Sequence, residues 1–148
     1  QIGALTTDQK IGLAKFIEVG CTQCHTSRLV GGALFQKLGL VRPYATEDTG
    51  RMKVTGSEAD KYVFKVPSLL NVEKTAPYMH DGRFQTLDEV IEHYSSGVHV
   101  SPTIDPLIEF ANQGGVQLNA QEKYLLKKFL LTLSDTSFIS NPNFKDPH

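Results

Sequence analysis

The sequence contains no tryptophan, only two cysteines and almost no excess of charge of either sign. Two cysteines leave no second pair to complete a cysteine-rich zinc site. Formal net charge is −1 over 148 residues, so no strong field favours nucleic acid or an anionic membrane as partner. Long apolar runs are missing too, which argues against a membrane-spanning helix. No signal peptide is visible. The chain starts at Gln1 rather than Met, so a leader removed before that residue is expected. The length fits one domain, and the apolar share is an ordinary 40%.

Both cysteines fall in one pentapeptide, Cys21-Thr22-Gln23-Cys24-His25. That spacing is the attachment signature of c-type haem. Each thiol adds to one vinyl group of the porphyrin, and one helical turn brings two sulfurs to two vinyls. The next residue then offers its imidazole to the iron as proximal ligand. Other readings are weaker. His80, His93, His99 and His148 show no paired spacing of the zinc-finger kind. A thioredoxin-like redox pair would lie in a strand–helix pattern, and none surrounds residue 21. One covalently bound haem c, held by Cys21, Cys24 and His25, is the expected cofactor. Such attachment is made outside the cytoplasm in bacteria, so a periplasmic location is expected.

Helical segments dominate and no segment reads convincingly as a strand. Thr6 and Gln9 form a capping box ahead of a helix over 7–19, with Ile11, Leu13, Phe16 and Ile17 as its apolar face and Gly20 as its stop. The stretch 26–66 is mostly irregular, punctuated by Gly31-Gly32, Pro43, Gly50 and Gly56. Leu34, Phe35 and Leu38 are its candidates for burial on a porphyrin. Pro67 predicts a short helix through Val72. Thr86 and Glu89 cap a helix carrying Leu87, Val90, Ile91 and Tyr94 as one apolar stripe. His93 sits about 100° round from that stripe and is expected in solvent. A helical turn is expected near Leu107. Asn119 and Glu122 cap the last helix, whose face is Tyr124, Leu125, Leu126, Phe129, Leu130 and Leu133. The expected fold is all-α, of the class I-like cytochrome c type, with few or no strands. It occupies 1–133, and a polar tail without periodicity covers 134–148.

A second block narrows the reading. Phe64-Lys65-Val66-Pro67-Ser68-Leu69-Leu70-Asn71-Val72 leads into Thr75-Ala76-Pro77-Tyr78-Met79-His80-Asp81-Gly82 and then Thr86-Leu87-Asp88-Glu89-Val90. This resembles the carboxy-terminal haem domain of the bacterial di-haem cytochrome c peroxidases and MauG-type enzymes, from Leu5 to about Leu133. The resemblance implies a second haem-bearing cytochrome c domain or subunit as partner. It also implies a small redox protein as electron donor and a calcium ion between the domains. Thr75 and Pro77 match positions whose carbonyls bind that calcium, and carbonyl oxygen suits Ca²⁺. His80 matches the histidine of the family block.

The family places the sixth iron ligand fourteen residues after that histidine, which here is Tyr94. The peroxidases have methionine there and the MauG-type enzymes tyrosine. A thioether favours ferrous iron and raises the potential. A phenolate is hard and anionic, so it stabilises more oxidised iron. Met79 is the competing ligand, because its distance from His25 suits a class I cytochrome methionine. An ordinary core tyrosine would produce the same stripe as Tyr94. The leading functional reading is a domain that relays electrons or stores oxidising equivalents in a di-haem enzyme. Alone it is expected to be nearly inactive with peroxide. The alternatives are a stand-alone single-haem periplasmic electron carrier and a haem-based sensor.

Overall fold

The computed structural model describes residues 4–26, 30–31, 34–40, 48–100 and 104–144. Expectations that fall on Gly32, Pro43, Pro147 and His148 lie outside the described residues. The helices are α1 (Thr7–Glu18), α2 (Cys21–Cys24), α3 (Met52–Thr55), α4 (Leu87–Ser96), α5 (Ala120–Leu130) and α6 (Thr136–Ile139). Two-residue strands β1 (Phe35–Gln36) and β2 (Phe64–Lys65) pair antiparallel, Phe35 opposite Lys65. Single 3₁₀ turns lie between these elements. The all-α expectation holds.

Local chemistry explains the three long helices. Each opens on a complete capping box: Thr6 with Gln9, Thr86 with Glu89, Asn119 with Glu122. Two otherwise orphaned N–H groups are satisfied at each start. The core forms where α1 crosses α5. Gly12 lies against the backbone at Leu125, and a Cβ there would come within 2.8 Å of the Leu125 carbonyl carbon and 2.9 Å of Phe129 Cβ. Phe16 packs on Phe129 at 5.2 Å between ring centres. Leu87 and Ile91 of α4 join the same cluster with Leu118, Leu126 and Leu130. A smaller cluster of Val98 and Ile108 takes Leu38, Ile104 and Phe110.

Several sequence expectations are corrected. Ile11, Ile17 and Tyr124 are exposed, so the faces of α1 and α5 are narrower than their apolar content. No helix follows Pro67. Ser68 accepts from the Leu70 N–H in a local turn, and Asn71 adopts a left-handed φ of 58°, which breaks helical continuity before the turn Val72–Lys74. The turn expected near Leu107 falls at Glu109–Gln113. Past Leu133 the chain is shaped rather than featureless. Asp135 caps α6, and Phe138 meets Phe144 at 5.0 Å on the exposed surface.

Candidate haem-binding site

Gly20 turns the chain out of α1 with a φ of 79°, which glycine adopts without strain. The single turn α2 follows at once, with Cys21 at its start and Cys24 at its end. His25 closes it by donating its N–H to the Cys21 carbonyl. Residues three apart share a helix face, so both sulfurs leave on one side. Both cysteines are free thiols. Burial pushes the Cys21 thiol up to about 12. Burial also raises Cys24, with Asp105 adding to the shift and Gln36 opposing it. Neutral thiols of this kind are poor thiolate nucleophiles and poor metal ligands. Thioether formation leaves a neutral sulfur, so it suits this environment.

His25 is held for a particular tautomer. Its Nδ1 lies 3.3 Å from the Val30 carbonyl oxygen. A carbonyl only accepts, so Nδ1 carries the proton and Nε2 keeps its lone pair. Burial holds the imidazole below its ordinary pKa, partly offset by the carbonyls of Val30 and Pro67. A neutral ring with a basic Nε2 is what an iron ligand requires. Phe16 stands 6.4 Å from the ring and walls it on the α1 side.

Tyr94 lies in the third turn of α4, next to His93. Its phenol is raised above the ordinary range, first by burial and then by the two sulfurs of Cys21 and Cys24. The phenol and the haem-attachment pair therefore lie within electrostatic reach of one another. Met79 occupies a tight turn, with φ 68° and its carbonyl accepting from Gly82 N–H at 3.3 Å. The bridge between Tyr78 and Phe84 closes that turn, and a bidentate Arg83–Asp81 pair braces it. Thr75 and Pro77 are exposed, and the Thr75 hydroxyl donates to the Val72 carbonyl at 3.2 Å. Among the described residues no group of three or more His, Cys, Asp or Glu side chains gathers to hold a metal. His80 stacks on Phe64 with 3.7 Å between centres and 13° between planes.

His93 is not in solvent. It is 5% exposed, and its Nε2 donates to the Leu38 carbonyl at 3.1 Å. The loop carrying β1 lies over the α4 face that a helical projection leaves empty. Of the candidates for packing on a porphyrin, Leu34 and Phe35 have exposed side chains, with Arg51 over the Phe35 ring at 4.8 Å, and Leu38 is half-buried. Gln36 and Asp105 were not singled out in the sequence. Both bear on Cys24, and Gln36 in its hydrogen-bonding orientation donates to Asp105. Gln36 ends the two-residue strand β1 and Asp105 lies in an irregular segment, and no motif marks either. The donor set as a whole fits a covalent haem: two neutral thiols one turn apart, an imidazole with Nε2 available and a phenol in reach.

Comparison with known proteins agrees. The cytochrome c551 peroxidase of Nitrosomonas europaea is 50% identical over 91 residues, 60% of this chain and 27% of that protein. The methylamine utilization protein MauG of Methylorubrum extorquens is 36% identical over 104 residues, 68% of this chain and 29% of that protein. The crystal structure of a MauG-like protein associated with microbial copper homeostasis superposes with a TM-score of 0.87 at 32% identity, over 98% of this chain and 49% of that one. This chain is a homologue of the haem domains of the cytochrome c peroxidase and MauG group. No protein-family model matches it. The haem domain spans half or less of the length of these relatives. No helix among its described residues is long and apolar enough to cross a membrane.

Proposed function

We propose that this haem domain relays electrons or stores oxidising equivalents in a two-haem peroxidase-type enzyme of the bacterial periplasm. The observation that carries this reading is the Cys21–Cys24–His25 turn in a chain about half the length of its MauG-like structural relative. Haem held through Cys21 and Cys24 supplies reversible one-electron chemistry. The chain's own residues set the terms. His25 offers Nε2 to the iron while the Val30 carbonyl fixes its proton on Nδ1 and orients the ring. Phe16 and Phe129 exclude water behind it.

Tyr94 is the sixth ligand in this reading. Its phenol would give up its proton to bind iron, and an anionic oxygen ligand would lower the potential. That suits storage of oxidising equivalents better than acceptance of electrons from a high-potential donor. A phenolate on the iron also leaves no acid on that side to protonate a departing peroxide oxygen. Peroxide cleavage is therefore assigned to a second haem domain. The Thr75 and Pro77 carbonyls would be this chain's share of a calcium site facing the second domain, and a small redox protein would supply the electrons.

Steady-state peroxide turnover tests the assignment. The haem-loaded chain alone should turn over very slowly. Adding the second domain should restore activity and make it calcium-dependent. Brisk turnover by the isolated chain would make its own haem the peroxidatic one and overturn the relay role.

A further inference from the structure

We infer that Ser95 is the positioning residue that holds Tyr94 against the haem-attachment turn. The inference rests on the reading of Tyr94 as sixth ligand. Ser95 is the most deeply buried side chain described, at 1% exposure. Its hydroxyl accepts from the Leu118 N–H at 3.0 Å and donates to the Leu118 carbonyl at 3.3 Å. Bonds on either side of it join the same two stretches of chain. The Tyr94 carbonyl accepts from Val116 N–H at 2.9 Å, the Ser95 carbonyl from Gln117 N–H at 2.8 Å, and Gly114 from Val98 N–H at 2.8 Å.

The last carbonyls of a helix have no partner within it. In α4 those of Tyr94 and Ser95 are taken by the segment 114–118, so the helix end is fixed in both translation and rotation. A slip of one residue there would move Tyr94 by about 1.5 Å along the axis and about 100° around it. Gly115 makes the approach possible. Its φ is 143°, and a Cβ would stand 2.5 Å from the Tyr94 carbonyl oxygen and nearer still to that of Ser95. The segment then runs into Asn119, the cap of α5. That helix packs on α1, which delivers Cys21 and His25. Ser95 thus ties the element carrying Tyr94 to the framework carrying His25.

The test uses the haem-loaded chain and four variants: Ser95→Ala, Gly115→Ala, Tyr94→Phe and Thr86→Ala. Three properties are read: the ferric absorption spectrum, cyanide affinity, and exchange of the Val116 and Gln117 amides. Tyr94→Phe sets the spectrum of an open sixth site. Thr86→Ala weakens α4 at its other end and should lower Tm with spectrum and cyanide affinity unchanged. Ser95→Ala should speed exchange of both amides and shift the spectrum part-way toward Tyr94→Phe. If it raises the fraction with Tyr94 off the iron about tenfold, cyanide affinity rises about tenfold. Gly115→Ala disturbs the same contact from the other side and should do likewise, even if Ser95→Ala does not fold. A lowered Tm with the parent spectrum and cyanide affinity in either variant would reduce Ser95 to a structural role and overturn the inference. A parent spectrum in Tyr94→Phe would instead sink the ligand reading itself, and this inference with it.

Discussion

Replacing Tyr94 with Phe removes a single oxygen atom, and replacing Met79 with Leu a single sulfur. The first should open the sixth position, giving a high-spin ferric spectrum and new cyanide binding. The second should leave the spectrum alone, since Met79 is bound into its own turn. If Met79→Leu is the disruptive change, the domain is a His/Met carrier. The buried thiols make a separate prediction for the haem-free chain. Burial pushes the Cys21 thiol from an ordinary 9.0 up to about 12 in the folded chain. Between those values the unfolded chain has lost a proton that the folded chain retains, so stability falls as pH rises through that window. It is fully present below pH 9. The haem-loaded chain, heavier than the bare polypeptide by one haem, has no thiol at this position. Its denaturation midpoint in urea should therefore be flatter than that of the haem-free chain across the window. At this scale much was legible in advance. Cys21, Cys24 and His25 are adjacent in sequence, and their chemistry depends on that spacing alone. His93 was misread because its partner, the Leu38 carbonyl, belongs to a distant loop.

Among the elements, the crossing of α1 and α5 depends most on one position. Gly12→Ala would improve helix propensity by about 1 kcal/mol. It would also drive a methyl group into the Leu125 carbonyl and Phe129. Overpacking of that kind costs roughly 1–3 kcal/mol. The clash should win, and thermal melts of the haem-loaded chain should show a lower Tm. A raised Tm would mean that the helices can separate without penalty. The three capped helices were readable because each capping box is a local pattern of two side chains. Their buried faces were less readable. Ile11, Ile17 and Tyr124 fit the period yet are exposed. The helix expected after Pro67 fails for a local reason, the left-handed Asn71, which a propensity reading does not reveal. No sequence pattern marks the segment 114–118. Its bonds to Tyr94 and Ser95 are long-range and leave no periodic trace.

For the molecule as a whole, sequence order and spatial order run in opposite directions. The haem-attachment turn lies near the amino-terminal end, yet α1 beside it is covered by α5, from almost the other end of the chain. The contact between Phe16 and Phe129 joins residues more than a hundred positions apart. Contacts of such long sequence separation close slowly, because loop entropy must be overcome first. Until α5 docks on α1, Cys21 lacks the cover that Leu126 and Phe129 give it, and Cys24 and His25 stay open beside it. The architecture delays its own closure, and the attachment chemistry has that interval in which to reach both sulfurs.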